Sequence, residues 1–148
     1  MRQYVFKLQR ELLKDGEPER LTKPEDAYRY LMENCFRSES MYREYAYLVF
    51  LNSFNEAMGT AVLSVGGLSS TTFDEKLAAK LSLFSMARQV ILAHNHPASS
   101  PLPSNSDLRN TAKIRDALAL FDIKLADHIV VADGSYYSFA EEKEYKVA

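Results

Sequence analysis

Gln89-Val90-Ile91-Leu92-Ala93-His94 is a continuous apolar run of strand length, and Pro97, Pro101 and Pro103 follow it among several serines. A strand without polar alternation needs apolar cover on both faces, so this segment belongs at the centre of a sheet sandwiched by helices. The proline-rich connection after it excludes both helix and strand and stiffens the chain just where the strand ends. The 148 residues are about the size of one ordinary domain, which leaves room for one such sheet and its cover.

The surrounding segments supply the rest. Thr22-Lys23-Pro24-Glu25 has capping-box spacing, and Ala27, Tyr30, Leu31 and Cys35 behind it predict an amphipathic helix to about Phe36. Tyr4 to Leu13 reads as a strand running into the turn at Asp15-Gly16. Glu44 to Leu51 is aromatic and β-branched, and it pairs with Ala57 to Val65 as a hairpin across Asn52 to Glu56. Thr72-Phe73-Asp74-Glu75 opens a second helix with Phe73, Leu77, Leu81 and Phe84 on one face.

A third helix starts at Ser104, capped with Asp107 three residues on, and ends near Asp122. Its apolar face takes in Leu108, Thr111, Ala112, Leu118 and Phe121, with Arg115 out of place. Ile123 to Ala132 and Tyr136 to Ala140 are two further strands joined by a turn at Asp133-Gly134, and the charged tail Glu141 to Lys146 reads as solvated. The expected fold is α/β: a single three-layer domain with a mixed, mostly antiparallel sheet flanked by helices.

Composition excludes several classes. Lys+Arg 18 against Asp+Glu 20 gives a net charge of −2, far from the basic balance of a protein built to neutralise phosphates. No apolar run approaches the roughly 20 residues that span a bilayer. The N-terminal stretch is broken by Lys7 and Arg10 and is no secretory signal. The single cysteine, Cys35, cannot form an internal disulfide and reads as core, so a cytoplasmic location is expected.

His94 and His96 lie two apart at a strand end, where the period of two turns both imidazoles to one side. Asp107, in the first turn of the following helix, can be returned to them by the stiff loop. Two histidines and one carboxylate leave a fourth tetrahedral position open, the mark of a catalytic rather than a structural zinc site. Zinc there lowers the pKa of a water to about 7 and polarises a carbonyl. Nonheme iron uses similar ligands. The plainer reading of a lone His-x-His is a pair of hydrogen-bonded structural histidines.

The string His94-Asn95-His96-Pro97, six residues, Ser104, two residues, Asp107 resembles the metalloprotease motif of the JAMM (MPN/JAB) family at every fixed position. Asn95, the segment Asp127-His128-Ile129-Val130-Val131, Tyr136 to Ala140, Asn52 and Gly59-Thr60 are similar to the RadC-like branch of that family. The similarity runs from about Glu44 to Ala140. Ala98-Ser99-Ser100 departs from the Ser-Gly-Asp usual after the proline, which touches substrate fit more than the ligands.

The resemblance implies a JAB/MPN, cytidine-deaminase-like domain over 41–148, with 1–40 as an N-terminal strand and helix extension packed on it. It implies a zinc-dependent metallopeptidase or isopeptidase acting on a peptide or protein substrate. His94, His96 and Asp107 would be its zinc ligands, Glu44 its general base, and Ser104 the support of the oxyanion as well as a helix cap.

Glu56, in the hairpin turn, is the competing base. His128 reads as a structural histidine that could orient through Asp127. Tyr136, Tyr137 and Phe139 read as packing rather than a base-stacking platform, because no basic residues interleave with them. Two other functions compete. RadC-like proteins carry a DNA-repair label, but near-neutral charge and the lack of a helix-hairpin-helix region before Glu44 disfavour direct nucleic-acid binding. Non-catalytic MPN scaffolds usually lose ligands, and here the set is complete. A nucleobase deaminase would need Pro-Cys-x-x-Cys, which one cysteine cannot supply.

Overall fold

The computed structural model describes residues 16–36, 42–66, 73–97 and 100–147. Its elements in chain order are α1 (Pro24–Asn34), β1 (Tyr45–Leu51), β2 (Ala57–Val65), α2 (Glu75–Phe84), β3 (Gln89–Asn95), α3 (Asn105–Ala119), β4 (Lys124–Ala132), β5 (Ser135–Ser138) and β6 (Lys143–Lys146). The six strands form one sheet in the order β2-β1-β3-β4-β5-β6. Every neighbouring pair is antiparallel except β3 with β4, which run parallel. The strand expected over Tyr4 to Leu13 lies outside the described residues.

The apolar run of β3 is covered on both faces, as its pattern requires. On one face Ile91 and Ala93, with Val49, Leu51, Ile129 and Val131, pack under Ala27, Leu31, Cys35 and Phe36 from α1 and its C-terminal end. On the other, Val90 and Leu92, with Ala46, Leu48 and Phe50, meet Phe73, Ala78, Ile114 and Leu118 from α2, α3 and their approaches. Each fully buried leucine or isoleucine contributes about 1.5–3 kcal/mol, so these two layers supply the main drive for the fold. No helix among the described residues is long and apolar enough to cross a membrane.

Several local expectations need correction. The carboxylate closing the first turn of α1 is Asp26, not Glu25: it accepts from Thr22 N, Thr22 Oγ1 and Lys23 N at 3.1, 3.1 and 3.3 Å. Thr72 lies outside the described residues, and α2 is capped by Asp74, whose carboxylate accepts from Lys76 N and Leu77 N. That helix buries Ala78, Ala79 and Ser82, while Phe84 stays exposed. In α3 the buried stripe is Asp107, Thr111, Ile114 and Leu118. Arg115 is therefore correctly outside, and Leu108 and Phe121 are exposed. The charged tail, read as solvated, contains the edge strand β6. It pairs through its backbone with β5, so charged side chains can point to water while the peptide groups stay satisfied.

The parallel pair positions the site. Antiparallel neighbours can be joined by a tight turn, but parallel β3 and β4 need a crossover, and α3 provides it. A helix crossing back over the sheet starts where the preceding strand ends. The N-terminus of α3 therefore stands beside the C-terminal end of β3, the usual place for ligand sites in sheets of this kind.

Candidate metal centre

Strand parity puts His94 on the same face as Val90 and Leu92, the face covered by α2 and α3. The imidazole is 1% exposed, and His96, just past the strand, is half-buried. From the facing helix, Ser104 caps α3 by accepting from Asp107 N at 3.1 Å, and Asp107 returns its Oδ2 to Ser104 N at 2.8 Å and Ser104 Oγ at 2.7 Å. This reciprocal box fixes the carboxylate in the first helical turn, where the helix dipole favours negative charge.

The three side chains expected from the sequence meet. His94 Nε2 and His96 Nε2 are 2.9 Å apart. Asp107 Oδ1 lies 3.3 Å from His94 Nε2, and Asp107 Oδ2 lies 3.4 Å from His96 Nε2. Donors bound to zinc at 2.0–2.2 Å in a tetrahedron would be separated by about 3.3 Å, so the spacing and the chemistry of the donors fit such an ion. These residues could together hold a metal ion.

The electrostatics are those of a site that wants a cation. Burial pushes the Asp107 carboxyl upward, but hydrogen bonds from His94 and His96, the His94 charge and the Ser104 amide hold it well below the ordinary carboxylate range. Burial pulls His96 downward, and the Asp107 hydrogen bond, the Ser100 carbonyl and the charges of Asp107 and Glu44 overcome it, leaving His96 raised. A proton or a metal ion is thus attracted to the same spot.

Glu44 stands two residues before Ala46, which pairs with His94 across the β1–β3 ladder. It is half-buried and close enough for its charge to act on His96. Asn95 holds this approach in place: its buried carboxamide accepts from Tyr45 N at 2.7 Å and donates to Arg43 O at 2.9 Å, bracketing Glu44 on both sides. Glu56 is excluded by position. It lies beyond the other end of β1, about 20 Å away at about 3.4 Å per residue. There its carboxylate accepts from Asn52 Nδ2 at 2.7 Å and faces Arg20 at 3.6 Å.

His128 is fully buried and touches the site directly, with Nε2 2.7 Å from His94 Nδ1. Burial above all, then the neighbouring His94 charge, holds it well below its ordinary value. Asp127 does not orient the ring. Its Oδ1 accepts from the backbone of His128 and Ala140, and its Oδ2 from Ser138 Oγ. The ring's other partner is Thr111 Oγ1, 2.6 Å from His128 Nδ1. Sequence reasoning placed Thr111 only on a helix face. Its spacing of four from Asp107, one helical turn on, is the signal that could have found it.

Cys35 is core. Tyr136 stacks on Tyr28 and Tyr145 with ring centroids 4.5 and 5.0 Å apart, and Phe139 stacks on His128 at 4.4 Å, so these aromatics pack.

Fold and donors together define a class: an α/β domain with a mixed six-stranded sheet and a His/His/Asp group able to hold a metal ion at the C-terminal end of its central strand. The model of the RadC-like JAB domain matches residues 21–145, a stretch that takes in α1 as well as the sheet. A UPF0758 protein of Photobacterium profundum is 40% identical over 132 residues, which cover 89% of this chain and 57% of that protein. Another from Flavobacterium johnsoniae is 40% identical over 65% of this chain and 42% of its own length. A third, from Clostridium acetobutylicum, is 33% identical over 87% and 55%. The chain belongs to the RadC-like JAB domain family, and it spans about half the length of the curated relatives it matches.

Proposed function

We propose that this domain is a zinc-dependent metallohydrolase of peptide or isopeptide bonds. The observation that carries the reading is the convergence of His94 Nε2, His96 Nε2 and the Asp107 carboxylate within 2.9 to 3.4 Å of one another at the end of a buried strand. Those three residues would hold the metal. When bound, zinc makes a water acidic enough to lose its proton near pH 7 and polarises the substrate carbonyl.

The remaining work falls to the chain. Glu44 takes the proton of the attacking water and delivers it to the leaving amine, a role supported by its place beside His96 and by the Asn95 bracket that holds its backbone. Ser104 Oγ, which donates to Asp107 Oδ2 at 2.7 Å, turns its proton toward the substrate oxygen as negative charge develops there. An oxyanion donor of this kind is worth about 3 kcal/mol.

Elemental analysis of the zinc-reconstituted full chain should find one zinc per chain, lost in Asp107→Asn. The loaded wild type should cleave members of a peptide and isopeptide library, and Glu44→Gln should keep its zinc but lose that cleavage. A wild type that binds no zinc at micromolar concentration, or cleavage that survives Glu44→Gln undiminished, overturns the reading.

A further inference from the structure

We propose that His128 and Thr111 are positioning residues that lock His94 in the one neutral tautomer able to ligate a metal. The inference rests on the metal-centre reading above and concerns residues outside the ligand set.

The direction of the hydrogen bonds is forced from one end. Thr111 Oγ1 lies 2.6 Å from the Asp107 carbonyl oxygen, which has no proton to give, so the hydroxyl proton points there. The same Oγ1 must then accept from His128 Nδ1, at 2.6 Å. His128 is sealed from water, stacked on Phe139 with the edge of Phe73 5.9 Å away, an environment that keeps an imidazole neutral. With its single proton on Nδ1, its Nε2 can only accept, and its partner is His94 Nδ1 at 2.7 Å. His94 Nδ1 therefore carries a proton, which leaves Nε2, the nitrogen facing His96 and Asp107, to take the metal ion or the proton that stands in its place.

His96 reaches the same state more directly, because its Nδ1 faces the Ser100 carbonyl at 2.9 Å. Each ligand imidazole is thus terminated at a backbone carbonyl, one at once and the other through two side chains. For His94 the path closes on Asp107, whose carboxylate serves the site and whose carbonyl ends the relay. The loop ties β3, β4 and α3 into one unit, so the strand histidine and the helix carboxylate are oriented by the same bonds. Outer partners of this kind typically change metal affinity 10- to 100-fold.

Two readouts on the full chain decide the matter. Two-bond proton–nitrogen NMR of the metal-free wild type at pH 8 should show a proton on His94 Nδ1; a bare Nδ1 overturns the proposal without reference to zinc. Zinc affinity by chelator competition should fall 10- to 100-fold in His128→Leu and by a smaller factor in Thr111→Val. His128→Gln, whose side-chain oxygen can accept from His94, should recover most of it, a rescue that simple packing would not produce. Folded His128→Leu with unaltered affinity overturns the relay. If that variant does not fold, Thr111→Val and the wild-type spectrum still decide. If the wild type binds no zinc, the metal-centre reading fails while the tautomer measurement independently tests the bonds.

Discussion

Asn95→Ala tests how the approach to the site is held. Asn95 is 4% exposed, and its carboxamide continues the contact of β3 with β1 past the last paired residues, bonding Tyr45 N and Arg43 O at 2.7 and 2.9 Å. Taking the partner away from each of two part-buried peptide groups costs about 1–2 kcal/mol apiece, so the truncation should cost about 2–4 kcal/mol. For a chain of this size each kcal/mol moves the melting temperature by about 2–4 °C, which gives a fall of about 5–15 °C by calorimetry. The loss should also be local. Hydrogen exchange at the Tyr45 amide should accelerate at least about tenfold, the factor that 1.4 kcal/mol represents. Asn95→Asp keeps the acceptor but sets an oxygen against the Arg43 carbonyl, so at neutral pH it should lose at least as much stability. Melting of Asn95→Ala within about 1 °C of the wild type, with Tyr45 exchange unchanged, would refute the bracket.

Other consequences are simpler. Ser104→Ala removes the α3 cap and one bond to Asp107 Oδ2 and should cost about 0.5–2 kcal/mol in urea unfolding; no loss would mean the box is idle. Leu118→Ala, at a fully buried position, should cost about 2–5 kcal/mol, whereas Leu120→Ala, at 82% exposure, should stay within about 0.5 kcal/mol; equal effects would contradict the assigned stripe. Burial pushes the Cys35 thiol up to about 11 from its ordinary 9.0. The native chain should therefore react with a thiol reagent at pH 8 at least about 100-fold more slowly than the urea-unfolded chain, and equal rates would place Cys35 outside the core. The sign also fixes a pH dependence: the folded thiol keeps its proton longer than the unfolded one, so this contribution is intact below pH 9 and lost as pH rises toward 11.

Much of this was legible in one dimension because it depends on local rules. A continuous apolar run needs two covered faces, and that requirement alone made β3 central. The Ser104 box is a spacing of three within one helical turn, and the His94–His96 pair is a spacing of two within one strand. The misreadings were also local. Thr22 pointed to a box with Glu25, but Pro24 opens the helix and Asp26 meets both amides. The face drawn for α3 took in the buried Thr111 and Leu118 but passed over Ile114 and included the exposed Leu108 and Phe121, because only the sheet decides which side of α3 is inward.

The sequence by itself therefore determined the donors and the elements that carry them, since periodicity and capping act over a few residues. Tertiary structure decided which distant groups stand beside those donors. The antiparallel ladder brings Glu44 to His96 and carries Glu56 away, while the parallel crossover sets His128 and Thr111 behind His94. No spacing encodes these neighbours, because strand register and helix docking follow from how both apolar layers close over the sheet.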